Sequence, residues 1–264
     1  MNFKKAAAII LTAVIVILSF AGCSANKNNE QSTESVSESE LSSEEASKVV
    51  FAEFISAKNG TPVEVKAFVQ AKTVLDGGKG GEISLYAQSV DGAYYIENMK
   101  VSGDEYEKLT EGREIAVRGI KSDSDGWIKI SSPELVSIGE KIYVADPVAM
   151  TKGYQTGDLY SMLNEKLSFT NLTVTSSEDA DSNEVPFIYK RDGTGEKGDD
   201  IYFTASDGKS ECMFVVSSKF NPSYSDLYKT CQSLKTGDII NVTGFMGWSD
   251  NLAEVDVMKI EKSK

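Results

Sequence analysis

The segment Leu109-x2-Gly112-x2-Ile115-x-Val117-x-Gly119 returns later in the chain as Leu234-x2-Gly237-x2-Ile240-x-Val242-x-Gly244, with every position offset by 125. Upstream of each copy, Ile83-x-Leu85-x-Ala87 followed by Asp91-Gly92 parallels Ile201-x-Phe203-x-Ala205 followed by Asp207-Gly208. A period of about 120 residues is too long for a solenoid repeat, so it predicts duplication of a whole small folding unit. Whatever one copy folds into, the other must be able to fold into as well.

Period-2 alternation sets the class of that unit. Val63, Val65, Ala67 and Val69 alternate with Glu64, Lys66 and Phe68, the pattern of a half-buried strand. Ile83, Leu85 and Ala87 alternate again, Asp91-Gly92 marks a tight hairpin, and Ala93 to Met99 reads as the returning strand. Asp104 to Leu109 suits a helical turn. Ile115 and Val117 open another strand, Asp125-Gly126 another hairpin, and Trp127, Ile128 and Ile130 the last strand. The second copy repeats this order with insertions, so the chain is expected to be mainly β.

Three strands, a helix and two strands, with Leu-x2-Gly-x2-Ile-x-Val-x-Gly at the fourth strand, resembles the OB-fold. The resemblance implies two tandem small five-stranded barrels, each with one short helix, over residues 49–141 and 142–264. It also implies a ligand face on strands two and three, flanked by the loops that join strands one–two and four–five. In the first copy that region holds Tyr86, Tyr94, Tyr95 and Trp127; in the second it holds Tyr202, Phe214 and Trp248. These rings either form a platform on which a sugar, peptide or base stacks, or they pack the barrels and cap their rims. As a platform, the tryptophans would weaken binding more than stability when replaced by alanine.

The N-terminus carries a different kind of signal. Lys4 and Lys5 precede an apolar run from Ala6 to Ala21, the layout of a secretory signal. Its end, Leu18-Ser19-Phe20-Ala21-Gly22-Cys23, resembles the lipobox of bacterial lipoproteins, although Phe20 stands where that family prefers Leu. The resemblance implies cleavage after residue 22, lipid on Cys23 and a protein held at the extracytoplasmic face of the cell membrane. An uncleaved N-terminal anchor is the alternative reading of the same apolar run. Residues 23–48 are dominated by Ser, Glu and Asn and read as a disordered tether, reaching roughly 25–30 Å as a flexible coil.

Charge and composition narrow the functions available. The net charge is −13, and both copies are acidic, whereas a protein that grips phosphates needs a basic stripe. Lys66, Lys72, Arg113, Arg118 and Lys121 are the cations from which a local groove in the first copy could be assembled. The chain has no histidine, which removes the commonest general base and metal ligand. With Cys23 lipidated, Cys212 and Cys231 remain, either as a disulfide outside the cytoplasm or as two separate buried thiols. Asp179-x-Asp181-x-Asn183 imitates the start of a calcium loop, but Glu184 and Lys190 occupy positions where such a loop needs Gly and Glu.

The expectation is therefore a non-catalytic, membrane-anchored binding module without metal or cofactor. Its partners are the membrane and an unidentified extracytoplasmic ligand or protein. Nucleic-acid binding is the alternative that the fold resemblance implies and the charge opposes; a structural part of an envelope complex is a third.

Overall fold

Each strand expected from alternation forms, and pairing between strands closes the sheets. The computed structural model describes residues 47–48, 50–75 and 79–263. The signal segment 1–22, Cys23 and the tether up to residue 46 lie outside the described residues. The last two tether positions, Ser47–Lys48, form a short strand (β1) rather than coil, parallel to Val63 and Glu64.

The first half continues with α1 (Phe51–Ser56), β2 (Pro62–Lys72), β3 (Gly80–Gln88), β4 (Ala93–Ser102), α2 (Gly103–Lys108), β5 (Arg113–Ser124) and β6 (Trp127–Ile142). Its sheet runs β1-β2-β3-β4-β6-β5, and β5 pairs back onto β2. Five strands thus close into a Greek-key barrel that leaves few exposed edges. The inward set Val63, Val65, Ala67 and Val69 is at most 1 % exposed, and it packs with Ile83, Leu85, Ala87, Ile115 and Val117.

The second half comprises β7 (Val148–Ala149), α3 (Thr156–Ser161), β8 (Lys166–Val174), β9 (Ser177–Glu178), β10 (Glu184–Val185), β11 (Ile188–Tyr189), β12 (Ile201–Ser206), β13 (Glu211–Val216), α4 (Asp226–Gln232), β14 (Ile239–Ser249) and β15 (Leu252–Lys262). The sheet order is β11-β12-β13-β15-β14-β8-β7, with β12 closing onto β8. A separate core of Phe169, Phe203, Phe214, Val242 and Val255 fills this barrel. The described residues nevertheless all fall in one compact unit, Ser42–Lys264.

The two copies of the motif occupy comparable places in their sheets. Gly112 and Gly237 both take positive φ, 82° and 91°, and donate to Val69 O and Val174 O on equivalent strands. Val69 faces Ala87 just as Val174 faces Ala205. Gly119 and Gly244 stand where the next strand crosses closely. A Cβ on Gly119 would meet Ile130 Cγ2 at 2.5 Å, and one on Gly244 would meet Asp256 O at 2.3 Å.

One helix per barrel is expected, at the positions of α2 and α4; among the described residues each half has two. Ser102 and Glu105 form a capping box that starts α2. The additional α1 and α3 precede the first barrel strand of each half and bury Phe54 and Leu159. Six residues are too few for a 3.6-residue period to show against background.

The connection between the barrels is fixed at both ends. Gln70 donates to Tyr143 O (3.0 Å) and accepts from Ala145 N (2.9 Å), while Val148 and Ala149 pair with Leu167 and Ser168.

Candidate functional site

Along β3 and β4, side chains alternate between the two sheet faces, so adjacent tyrosines part company. Tyr94 points into the first barrel, 1 % exposed, against Phe51 and Phe54 of α1. Tyr86 and Tyr95 point outward from β3 and β4, the face expected to take a ligand. That face is covered by the second barrel. Tyr86 is fully buried, stacked on Phe245 of β14 with ring centres 4.4 Å apart, and flanked by Phe220 at 5.6 Å. Its hydroxyl donates to Asp256 Oδ2 of β15 at 2.9 Å. Of the two readings of Tyr86, Tyr94 and Tyr95, packing is the one their surroundings match: Tyr94 is barrel core, and Tyr86 and Tyr95 belong to the junction.

The hairpin tryptophans belong to the same junction. Trp127 lies against Tyr95 (4.6 Å) and donates its indole N–H to Asn164 Oδ1 at 2.9 Å, and Asn164 Nδ2 donates back to Ile128 O. Asn164 holds φ of 66°, a conformation Asn adopts more readily than most residues. Trp248 packs edge-on against Tyr160 and sits over Gly126, whose Cβ would lie 3.0 Å from the indole nitrogen. Trp127→Ala is accordingly expected to cost about 2 kcal/mol, since it removes a half-buried ring and leaves Asn164 without its donor. A thermal melt checks this; an unchanged melting temperature would return Trp127 to the role of a platform.

In the second barrel the ligand region implied by the fold is reached from three sides. β11 pairs with β12, so the inserted loop 175–200 runs beside Tyr202 and brings Arg191 over its ring, 5.6 Å from guanidinium carbon to ring centre. Arg191 Nη1 donates to Ser249 O at the β14–β15 hairpin (3.2 Å), and Nη2 pairs with Glu254 Oε2 at the start of β15. Strand two, the strand one–two loop and the strand four–five loop thus converge on one guanidinium. Burial holds the Glu254 carboxyl above its ordinary range despite Arg191 beside it. Burial and Glu254 raise the Tyr202 phenol to about 12. Phe214, expected with this group, instead points inward, fully buried and stacked on Phe203.

The remaining candidates lie elsewhere. Cys212 and Cys231 are two free, buried thiols in the second core; burial pushes the Cys212 thiol up to about 12 and raises that of Cys231 as well. Asp179 Oδ1 accepts from the backbone N–H of Asp181 and of Asn183, which makes the segment a side-chain-capped turn. Among the described residues no group of three potential ligands could hold a metal.

The five first-barrel cations do not converge on the β3–β4 face. Lys121 is buried and donates to Ile55 O and Ala57 O at the end of α1; Lys72 donates to Tyr106 O. Arg118 pairs with Glu64 (3.0 Å) and Glu134 (3.7 Å), Arg113 donates to Gly139 O, and Lys66 is exposed.

Sequence reasoning passed over Arg191, Asn164 and Asp256. A signal existed for Arg191: it is the sole arginine after position 118, in a strongly acidic stretch. Asn164 and Asp256 act across the junction and carry no local mark.

No family model matches the chain, and no curated protein matches it. Among solved structures it is similar to the p204 HINb domain, at 11% identity and a TM-score of 0.33, covering 78% of this chain and 98% of that one. It is also similar to a murine DNA-binding protein bound with double-stranded DNA, at 10% identity and a TM-score of 0.36, covering 76% and 99%. A third is an OBody bound to hen egg-white lysozyme, at 14% identity and a TM-score of 0.31, covering 45% and 98%. Likeness at this level assigns no ligand.

Proposed function

We propose that the chain is a lipid-anchored, extracytoplasmic, non-catalytic binding protein built from two tandem OB-like domains. The first domain docks on the second, and the second offers the ligand region. The observation that carries this reading is the convergence on Arg191 of Tyr202, the Ser249 carbonyl and Glu254, at the place where this fold takes ligands. A planar guanidinium over an aromatic ring gives a stacking surface and a fork of donors, suited to a ligand with a flat or anionic group that competes with Glu254. Anchoring rests on the lipobox-like ending at Cys23 and on the Ser/Glu-rich segment after it.

A thermal-shift screen of the protein against oligosaccharides, acidic peptides and single-stranded oligonucleotides tests the binding reading. Arg191→Ala should lower the unliganded melting temperature, because it leaves the buried Glu254 carboxyl without its partner. Measured from that lower baseline, a compound that stabilises the wild type should give no shift, because only ligands of the folded state raise its apparent stability. Membrane fractionation of Cys23→Ala tests the anchor, and the unlipidated protein is expected in the soluble fraction once its signal is cleaved; retention at the membrane after cleavage would overturn lipid anchoring.

Oligonucleotide binding is the second reading, favoured by the stacking pair of Tyr202 and Arg191. Affinity for a labelled single strand that falls steeply between about 50 and about 200 mM salt would establish it. The net charge of −13 weighs in the other direction.

A further inference from the structure

The junction between the barrels is joined by carboxylates that lack full compensation. Asp256 lies on the outward face of β15, 9 % exposed; its Oδ2 accepts from the Tyr86 hydroxyl of the other barrel. Its Oδ1 is buried with no hydrogen-bond partner among the described residues. The charged and titratable groups around it are Tyr86 from β3, Tyr95 from β4, Glu254 from its own strand, Asp200 from the loop before β12, and Lys219 from the loop after β13. Of the two further carboxyls near it, Glu254 is paired with Arg191 and Asp200 is in no ion pair among the described residues, while the Lys219 side chain is itself exposed. At the other edge Gln88 Nε2 donates to Glu165 Oε2 across the junction (2.6 Å), while Gln88 Oε1 is buried without a partner.

A neutral carboxyl fits the Asp256 position: one oxygen accepts from Tyr86, and the other carries a proton instead of an uncompensated charge. An ionised carboxylate does not fit, because a buried charge needs several donors or a cation to offset lost hydration. We propose that the interface between the two barrels is a pH-sensitive joint, tight when the Asp256 carboxyl is protonated and loosened when it ionises, so that rising pH uncovers the Tyr86–Tyr95 face. That this face then takes a ligand rests on the binding reading above; the joint itself does not.

The sign follows from linkage. Burial raises the Asp256 carboxyl to about 7 in the closed junction, against about 3.9 for an exposed aspartate. The closed form therefore holds the proton more tightly. Its contribution to closure is complete below about pH 4 and is lost as pH rises through about 7. Opening should become about tenfold more favourable per pH unit across that window, then level off.

Two donors cross the junction and report its opening directly: the Val74 amide, bonded to Lys219 O at 2.8 Å, and the Trp127 indole, bonded to Asn164 Oδ1 at 2.9 Å. The amides of Gly112 and Gly237 bond within single barrels and serve as controls. Hydrogen exchange on the full chain, corrected for intrinsic rates, is expected to show protection at Val74 and Trp127 falling about tenfold per unit from about pH 5 to about pH 7. Gly112 and Gly237 should stay level, and Asp256→Asn should flatten the junction profile. Tyr86→Phe, which removes the donor that favours the ionised form, should carry the plateau to higher pH, and this decides the matter if Asp256→Asn does not fold. A flat wild-type profile, an unchanged slope in Asp256→Asn, or controls that follow the junction would overturn the proposal. None of these readouts involves a ligand, so failure here leaves the binding reading standing, and failure there leaves the joint.

Discussion

Phe245→Ala is expected to destabilise the protein by about 3–5 kcal/mol, the range for deleting a fully buried aromatic ring. The ring is 1 % exposed and lies nearly parallel to Tyr86, at 8°. Truncating it would leave a cavity bounded by Tyr86, Phe220 and Met258 at the meeting of the barrels. Neither barrel's own core contains Phe245, so the loss should fall on their coupling. By calorimetry the wild type is expected to melt in one transition and the variant in two, the first lowered by roughly 6–20 °C for a chain of this size. A single transition at an unchanged midpoint would show that the stack contributes little and that the barrels are held by their polar bonds alone.

Gly244→Ala should have the second-largest effect, about 3 kcal/mol, by overpacking. The added methyl would stand 2.3 Å from Asp256 O and 2.7 Å from Val255 Cγ1, so β14 and β15 would have to separate where the barrel coils most tightly. The register between these strands already shifts at Thr243/Gly244, which leaves little room to adjust. Gly157→Ala is the matched control. It sits in α3 with nothing within 4 Å of the new Cβ, and a helical Gly→Ala change should stabilise by about 0.5–1 kcal/mol. Urea denaturation of the two variants should shift the midpoint in opposite directions; equal shifts would mean the crossing is more pliable than its distances imply.

Local pattern made most of the strands legible. Alternation placed Val63 to Val69 and Ile83 to Ala87 on inward faces, and the Asp-Gly pairs marked the hairpins, because both are properties of a few adjacent residues. The offset between the two copies worked for the same reason: Gly112 and Gly237 need positive φ, and Gly119 and Gly244 need a missing side chain, wherever else the copies differ. The aromatic site was legible only in part. Gathering Tyr94 with Tyr95 overlooked that a strand sends neighbours to opposite faces, an error the alternation itself could have prevented. That Tyr86 and Tyr95 meet Phe245 was beyond reach, because the partner lies some 150 residues away and nothing in a single strand says which of its faces another barrel will cover. Arg191 was hidden in a loop whose course depends on the pairing of β11 with β12.

Gln70 has a consequence for how this chain can be cut. Proteases need a stretch of backbone that can leave its surroundings and enter a cleft in extended form. The stretch 143–149 offers none: Gln70 ties down Tyr143 and Ala145, and pairing with β8 takes over at Val148. A cut within 143–149 must therefore first break bonds that the barrels themselves make, and limited digestion is expected to spare that stretch.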